Sequence, residues 1–140
     1  MPLFDTNVLI IATLGPDPGL QAATIEMLRE ESEVLLPAYW AYEFVGVVTR
    51  LTHLNNENRI SKETARTAFR TATAYETSRI EGGQHAEVLE VALRYDCSGY
   101  DAQFIYWAIE LNTPLITDDK KLANTVPAHT RRLRDYLNQR

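Results

Sequence analysis

Hydrophobic positions in this chain follow two rhythms: short unbroken apolar runs, and longer stretches with a helical period. Pro2-Leu3-Phe4, Val34-Leu35-Leu36-Pro37 and Leu115-Ile116-Thr117 are too short for helices and read as three strands. Between them apolar residues recur every three or four positions. Ala23, Ile25, Met27 and Leu28 place a helix over residues 20–31. Trp40, Phe44, Val47, Val48 and Leu51 form one stripe of a helix over residues 39–54. Ser61, with Glu63 in the next first turn, opens a helix reaching about residue 77, and further helices fall over 85–95 and 100–111. Asp5-Thr6-Asn7 supplies helix-start residues directly after the first strand, and a short helix begins at Asp118-Asp119 after the third. Gly15-Pro16-Asp17-Pro18-Gly19, Asn55-Asn56-Glu57-Asn58, Ile80-Glu81-Gly82-Gly83 and Asn112-Thr113-Pro114 punctuate the pattern, the third with a residual strand as an option. Residues 130–140, with Leu133 and Leu137 on one side, are expected to form a basic amphipathic helix.

Strands separated by helices, without hairpin turn signals, predict an α/β fold: three layers, α/β/α, around a short and mainly parallel central sheet. Open sheets of this kind bind ligands beyond the carboxyl ends of their strands. Asp5 and the Asp118-Asp119 pair would then share one edge.

Composition narrows the class without deciding it. A chain of 140 residues, 45% apolar and 24% charged, fits one globular domain over 1–140. No apolar run approaches the ~18 residues of a membrane span, so no membrane partner is expected. The first positive charge is Arg29, so the basic start of a secretory signal is missing. The lone Cys97 excludes an internal disulfide and fits a reducing compartment, which makes cytoplasmic the expected location. A net charge of −5 argues against a generic nucleic-acid coat, but it hides an asymmetry. Residues 1–119 carry 8 bases and 18 acids, whereas residues 120–140 carry 6 bases and the single acid Asp135. Divalent ions at an acidic site would bring the total closer to neutral, so a phosphate-backbone substrate remains compatible.

The chemistry-bearing feature is a set of carboxylates placed beside apolar residues: Leu3-Phe4-Asp5-Thr6-Asn7, Tyr42-Glu43-Phe44, Gly99-Tyr100-Asp101-Ala102 and Leu115-Ile116-Thr117-Asp118-Asp119. Acids in hydrophobic settings are costly to bury unless something positive meets them. Each also has an ordinary reading. Asp5 fits a helix N-cap. Glu43 lies within an apolar stripe, where Arg50 is a structural partner. Asp101 shares a face with Phe104, Ile105 and Ala108, and fits a first-turn acid favoured by the helix dipole. Asp118-Asp119 fits a cap plus a solvated charge, with Asp119 preferred for a site because a helix start would turn it to the sheet edge.

Other chemistries lack their signatures. His53, His85 and His129 have no zinc-spaced partner, and GxSxG, GxGxxG and GxxxxGK[ST] are absent. Trp40, Tyr42, Phe104 and Trp107 at helical spacing read as core rather than as a base-stacking platform. Arg59, Lys62, Arg66 and Arg70 read as a solvated helix surface, with an RNA backbone as the alternative.

Taken together, Asp-Thr-Asn near the N-terminus, a helical Glu after an apolar strand, Tyr-Asp-Ala opening a late helix and Thr-x-Asp after the last apolar strand resemble the PIN-domain nucleases. Within that family the chain is most similar to the small VapC-type toxins of toxin–antitoxin pairs. The resemblance covers residues 3–122. It implies an acidic site of Asp5, Glu43, Asp101 and Asp119, holding Mg²⁺ or Mn²⁺, with Asp5 and Asp101 as the main direct ligands. Thr6 and Thr117 would be polar supports, Asn7 would organise the first turn, and Asp118 falls at the variable position. It further implies an endoribonuclease leaving 5′-phosphate and 3′-hydroxyl ends, a small antitoxin partner and a homodimer. The family usually ends in one more short strand, from which the helical tail would be a departure. Carboxylates without imidazole or thiolate independently favour hard oxygen-seeking cations. Without a cation, four such acids would repel each other and stay partly protonated. A housekeeping RNA-processing nuclease and a non-catalytic RNA-binding module on the same fold are the alternatives. A phosphoacceptor signalling domain would want paired acids after the first strand and a lysine after a later one, and the chain lacks both.

Overall fold

The computed structural model describes residues 2–80 and 84–140. Five strands form its central sheet: β1 (Leu3–Phe4), β2 (Leu35–Pro37), β3 (Ser78–Ile80), β4 (Leu115–Thr117) and β5 (Thr130–Arg132). Their order is β3-β2-β1-β4-β5, and every neighbouring pair is parallel. The three inner strands are wholly buried, as expected where helices cover both faces of a parallel sheet.

Among the described residues, eight helices connect and cover them: α1 (Thr6–Leu14), α2 (Pro18–Glu30), α3 (Trp40–Thr52), α4 (Lys62–Tyr75), α5 (His85–Tyr95), α6 (Gly99–Glu110), α7 (Lys120–Thr125) and α8 (Leu133–Asn138). α1 is apolar nearly all round and packs against α2, α3 and α4. It ends at Gly15, where a Cβ would lie 2.6 Å from the Ile11 carbonyl oxygen. α6 lies along β1, β2 and β4 with five buried residues, and α5 packs on α6 while burying none of its own. The result is the α/β/α layering read from the sequence. Among the described residues no single helix is long and apolar enough to cross a membrane.

Two expectations need correction, and both concern sheet edges. Residues 130–140 are not one helix. Thr130–Arg132 pairs with β4 as β5, and only Leu133–Asn138 is helical, so the anticipated departure from a final strand does not occur. The backbone there completes the β4 edge, and Leu133 is fully buried at the turn into α8. Likewise, the helix expected to reach residue 77 stops at Tyr75, because Ser78–Ile80 joins β2 as a strand. The Thr77 hydroxyl fixes this exit by accepting the Val34 N–H at 2.7 Å. Beyond Ile80, the expected turn at Glu81-Gly82-Gly83 lies outside the described residues.

One backbone feature gives a direct stability prediction. Asp96 caps α5 in the left-handed region (φ 52°), a conformation that costs most side chains energy and glycine none. Asp96→Gly should stabilise the protein by about 0.5–1 kcal/mol in urea unfolding. A loss of stability would show that the Asp96 carboxylate contributes more than the strained backbone costs.

Candidate active site

β1 and β4 lie side by side at the centre of the sheet, where the strand order reverses, and each runs into a carboxylate at its C-terminal end. This is the switch-point crevice where open α/β sheets place ligands. Asp5 is only 4% exposed, and Thr117, which ends the neighbouring strand β4, is fully buried. The Thr117 hydroxyl donates to Asp5 Oδ2 at 2.8 Å and accepts from the Asp119 N–H at 3.0 Å and Asn7 Nδ2 at 3.2 Å. One hydroxyl thus uses its donor and both acceptor positions. Asn7 Nδ2 also reaches Asp5 Oδ2 at 3.2 Å, while Asn7 Oδ1 accepts from the Asp118 N–H at 3.1 Å. These bonds lock the β1–α1 and β4–α7 junctions together across about 110 residues of chain.

The geometry separates the ordinary readings from the functional ones. Asp5 occupies the N-cap position of α1 but makes no side-chain cap bond, so capping is not what its carboxylate does. Ser98 caps α6 by accepting the Asp101 N–H at 3.0 Å, which leaves the Asp101 carboxylate free of that task. Asp119 does cap α7, through a 3.0 Å bond from the Leu122 N–H to Oδ1. Asp118 instead faces Arg132 across 3.9 Å.

Glu43 sits in the first turn of α3 beside the buried stripe of Trp40, Phe44, Val48 and Thr52, and is itself half-buried rather than core-facing. The Thr6 hydroxyl lies against it and favours its charged form, yet makes no hydrogen bond of ordinary geometry among the described residues. Asp101 is also half-buried. It shares the walls of a cleft of about 320 Å³ with Asp96, Cys97, Ser98, Asp119, Lys121 and Thr125.

Burial, and then neighbouring carboxylates, raise the pKa values of Asp5, Glu43 and Asp101. Burial pushes the Asp5 carboxyl up from 3.8 to about 7; the Thr117 bond offsets part of this, and the charges of Glu43 and Asp101 add to it. Burial raises Glu43, and Asp101 raises it further. Burial also raises Asp101, with the Asp119 charge second. Asp101 and Asp119 line one cleft, and Asp5, Glu43, Asp101 and Asp119 lie along one rim within electrostatic reach of one another.

Their donor set suits a hard cation, being oxygen throughout. No group of three His, Cys, Asp or Glu among the described residues is drawn together tightly enough to form a ready-made metal cage. Mg²⁺ does not require one: it binds through one or two carboxylates and keeps several waters. The raised pKa values are those of a site short of positive charge, so the residues fit such an ion.

Elsewhere the structure sorts the remaining candidates. Arg66 and Arg70 pair with Glu63 on the exposed side of α4 at 3.3 and 3.4 Å, a solvated surface. Trp40 and Phe104 are core, whereas Tyr42 is 73% exposed. Sequence reasoning missed Arg132, because a helical reading of the tail gave it no place opposite Thr117 in the sheet.

The PIN domain family model matches residues 3–126. The crystal structure of PAE2754 from Pyrobaculum aerophilum superposes with a TM-score of 0.77 over 98% of this chain and 93% of that one. At 18% sequence identity, that likeness concerns the fold. No curated protein matches the sequence.

Proposed function

Since the chain belongs to the PIN domain family, a nuclease fold, we propose that it is a Mg²⁺- or Mn²⁺-dependent endoribonuclease acting at the Asp5 rim. The observation that carries this reading is that four carboxylates, from the β1–α1 junction, α3, α6 and the β4–α7 junction, come within electrostatic reach of one another. A structural role for each acid separately would not call for that convergence.

In this reading Asp5 and Asp101 hold the ion directly, and Glu43 and Asp119 bind through water or at a second ion. Such an ion, when bound, acidifies a water and neutralises charge developing on the phosphoryl oxygens. The protein's own work is orientation. Thr117 and Asn7 fix the Asp5 carboxylate, Thr6 steadies Glu43, and Asp118 with Arg132 sets the neighbouring wall. Purified protein should cut RNA in Mg²⁺ or Mn²⁺ and stop in EDTA, and Asp101→Asn should lower the rate by at least about 10²-fold. Cutting that survives EDTA, or an undiminished Asp101→Asn enzyme, would refute the assignment.

The biological role that fits best is the toxin of a toxin–antitoxin pair, working in the cytoplasm as one 140-residue domain and restrained by a small antitoxin. That part rests on resemblance to VapC-type toxins. Co-expression with the product of an adjacent small open reading frame should relieve growth arrest; a chain that arrests no growth when expressed alone would contradict it. A homodimer is part of the same reading. It is supported by Tyr42 and Val45 on α3 and Leu89 and Leu93 on α5, large apolar side chains that the monomer leaves exposed.

A further inference from the structure

Arg132 ends β5 at the same edge of the sheet as the rim acids. It is the register partner of Thr117, so the two side chains stand on one face of the sheet. β5 lies two strands from β1, which puts the Arg132 backbone about 10 Å from that of Asp5. The guanidinium therefore flanks the acids without standing among them.

The fold asks little of this side chain. The tail's other arginines are engaged: Arg131 lies over the Tyr136 ring at 5.3 Å, Arg134 pairs with Asp17 at 3.3 Å, and Arg140 pairs with Glu30 at 2.6 Å. Arg132 Nε is buried yet has no hydrogen-bond partner among the described residues. Its Nη2 reaches Asp118 Oδ1 only at 3.9 Å, an ion-pair distance too long for a hydrogen bond. These two nitrogens belong to one edge of the guanidinium, an edge that can grip a carboxylate or phosphate bidentately. Asp118 stands nearest that edge without closing on it. A buried donor left without an acceptor is rare and calls for an explanation. The side chain is 31% exposed, so the missing acceptor can come from solvent.

The surroundings say which acceptor. A row of carboxylates repels a polyanion, so a phosphate backbone drawn along it needs a cation at the flank that is not already neutralised. Lys121, on the wall of the cleft that Asp101 and Asp119 share, adds a second positive charge near the β4–α7 junction. We propose that Arg132 holds one backbone phosphate of the RNA, next to the phosphate that is cut, through its Nε–Nη2 edge. Asp118 keeps the guanidinium poised in the free protein and yields it when RNA arrives. The inference rests on the ribonuclease reading of the rim and deepens it with a positioning residue and a path: the strand leaves the acids over the end of β5.

The test separates binding from turnover. Affinity for a fluorescent single-stranded RNA is measured by anisotropy in Ca²⁺ over a range of salt, and cleavage kinetics are measured in Mg²⁺ or Mn²⁺. Arg132→Gln should weaken binding about tenfold and flatten the slope of log K against log salt by about 0.7, as loss of one phosphate contact on a single strand does. KM should rise by a similar factor while kcat changes less than about threefold, because a flanking contact is made equally before and during the reaction. Arg132→Lys should keep the salt slope but lose affinity severalfold for want of the fork, and it carries the test should the Gln variant fail to fold. Asp118→Asn removes the competing acid and should tighten binding by up to about fivefold. Unchanged affinity and salt slope in the folded Arg132→Gln protein would overturn the proposal. So would equal losses in Arg132→Gln and Asp118→Asn, the mark of a pair that only braces the wall. A wild type that cuts RNA while Arg132→Gln binds and cuts as well loses this inference alone; Arg132-dependent RNA binding by a protein that cuts nothing loses the ribonuclease reading alone.

Discussion

Metal-free Asp5→Asn protein should melt at a higher temperature than wild type at pH 8 while losing RNA cleavage. Asp5 is held almost out of solvent with its carboxyl raised to about 7, mainly by burial and further by the charges of Glu43 and Asp101. In the unfolded chain the same group titrates near 3.8. Between those values the folded state keeps a proton that the unfolded state has released. Stability is therefore fully present below pH 3.8 and falls as pH rises towards about 7. Above that, a buried, uncompensated carboxylate costs the fold on the order of 4 kcal/mol. The raised pKa values of Glu43 and Asp101 act in the same direction.

Asparagine removes the charge, and its carbonyl oxygen can still accept the Thr117 and Asn7 bonds. A gain of roughly 5–10 °C is expected at pH 8 in EDTA. It should shrink at pH 5, and in wild type Mg²⁺ should recover much of it by linkage. Calorimetry of both proteins at the two pH values reads this directly. A wild type as stable at pH 8 as at pH 5 without metal, or an Asn variant that melts lower at pH 8, would show that the rim is not electrostatically strained.

Thr117→Val is the most damaging conservative change available in this fold. The substitution keeps shape and volume but deletes an oxygen that serves three partners at once. The buried Asp5 carboxylate loses its closest donor, and the part-buried Asp119 N–H loses its acceptor. Leaving such buried groups unpaired costs about 1–3 kcal/mol each, so a loss of roughly 2–5 kcal/mol is expected in urea unfolding. Asp5 should also lose its orientation, with cleavage falling alongside stability. Thr117→Ser keeps the hydroxyl and should forfeit only the methyl packing, about 1 kcal/mol. If Val and Ser variants lose the same amount, the hydroxyl is not the hub.

The sequence made β1, β2 and β4 legible because strands buried on both faces must be apolar throughout. It hid β3 and β5 for the complementary reason. Edge strands are half-solvated, so Ser78-Arg79-Ile80 and Thr130-Arg131-Arg132 carry charges that break any strand pattern, and charged edges also discourage pairing with another chain. The basic tail therefore looked like a helix with an apolar side, when its first three residues were a sheet edge.

The acids were legible as anomalies, not as a site. Asp5 looks like a cap from its neighbours alone. Only Thr117, 112 residues away, shows that its oxygen is engaged across the sheet. The order of strands, which no local pattern encodes, is what sets β1 beside β4.

The central claim is best tested by anomalous diffraction from crystals of the protein grown or soaked in Mn²⁺. A peak at the rim with Asp5 and Asp101 as direct ligands, and Glu43 and Asp119 at water-bridged distance or on a second peak, is the predicted result. An empty rim in crystals of protein that cuts RNA with Mn²⁺, or manganese held by other residues, would contradict it.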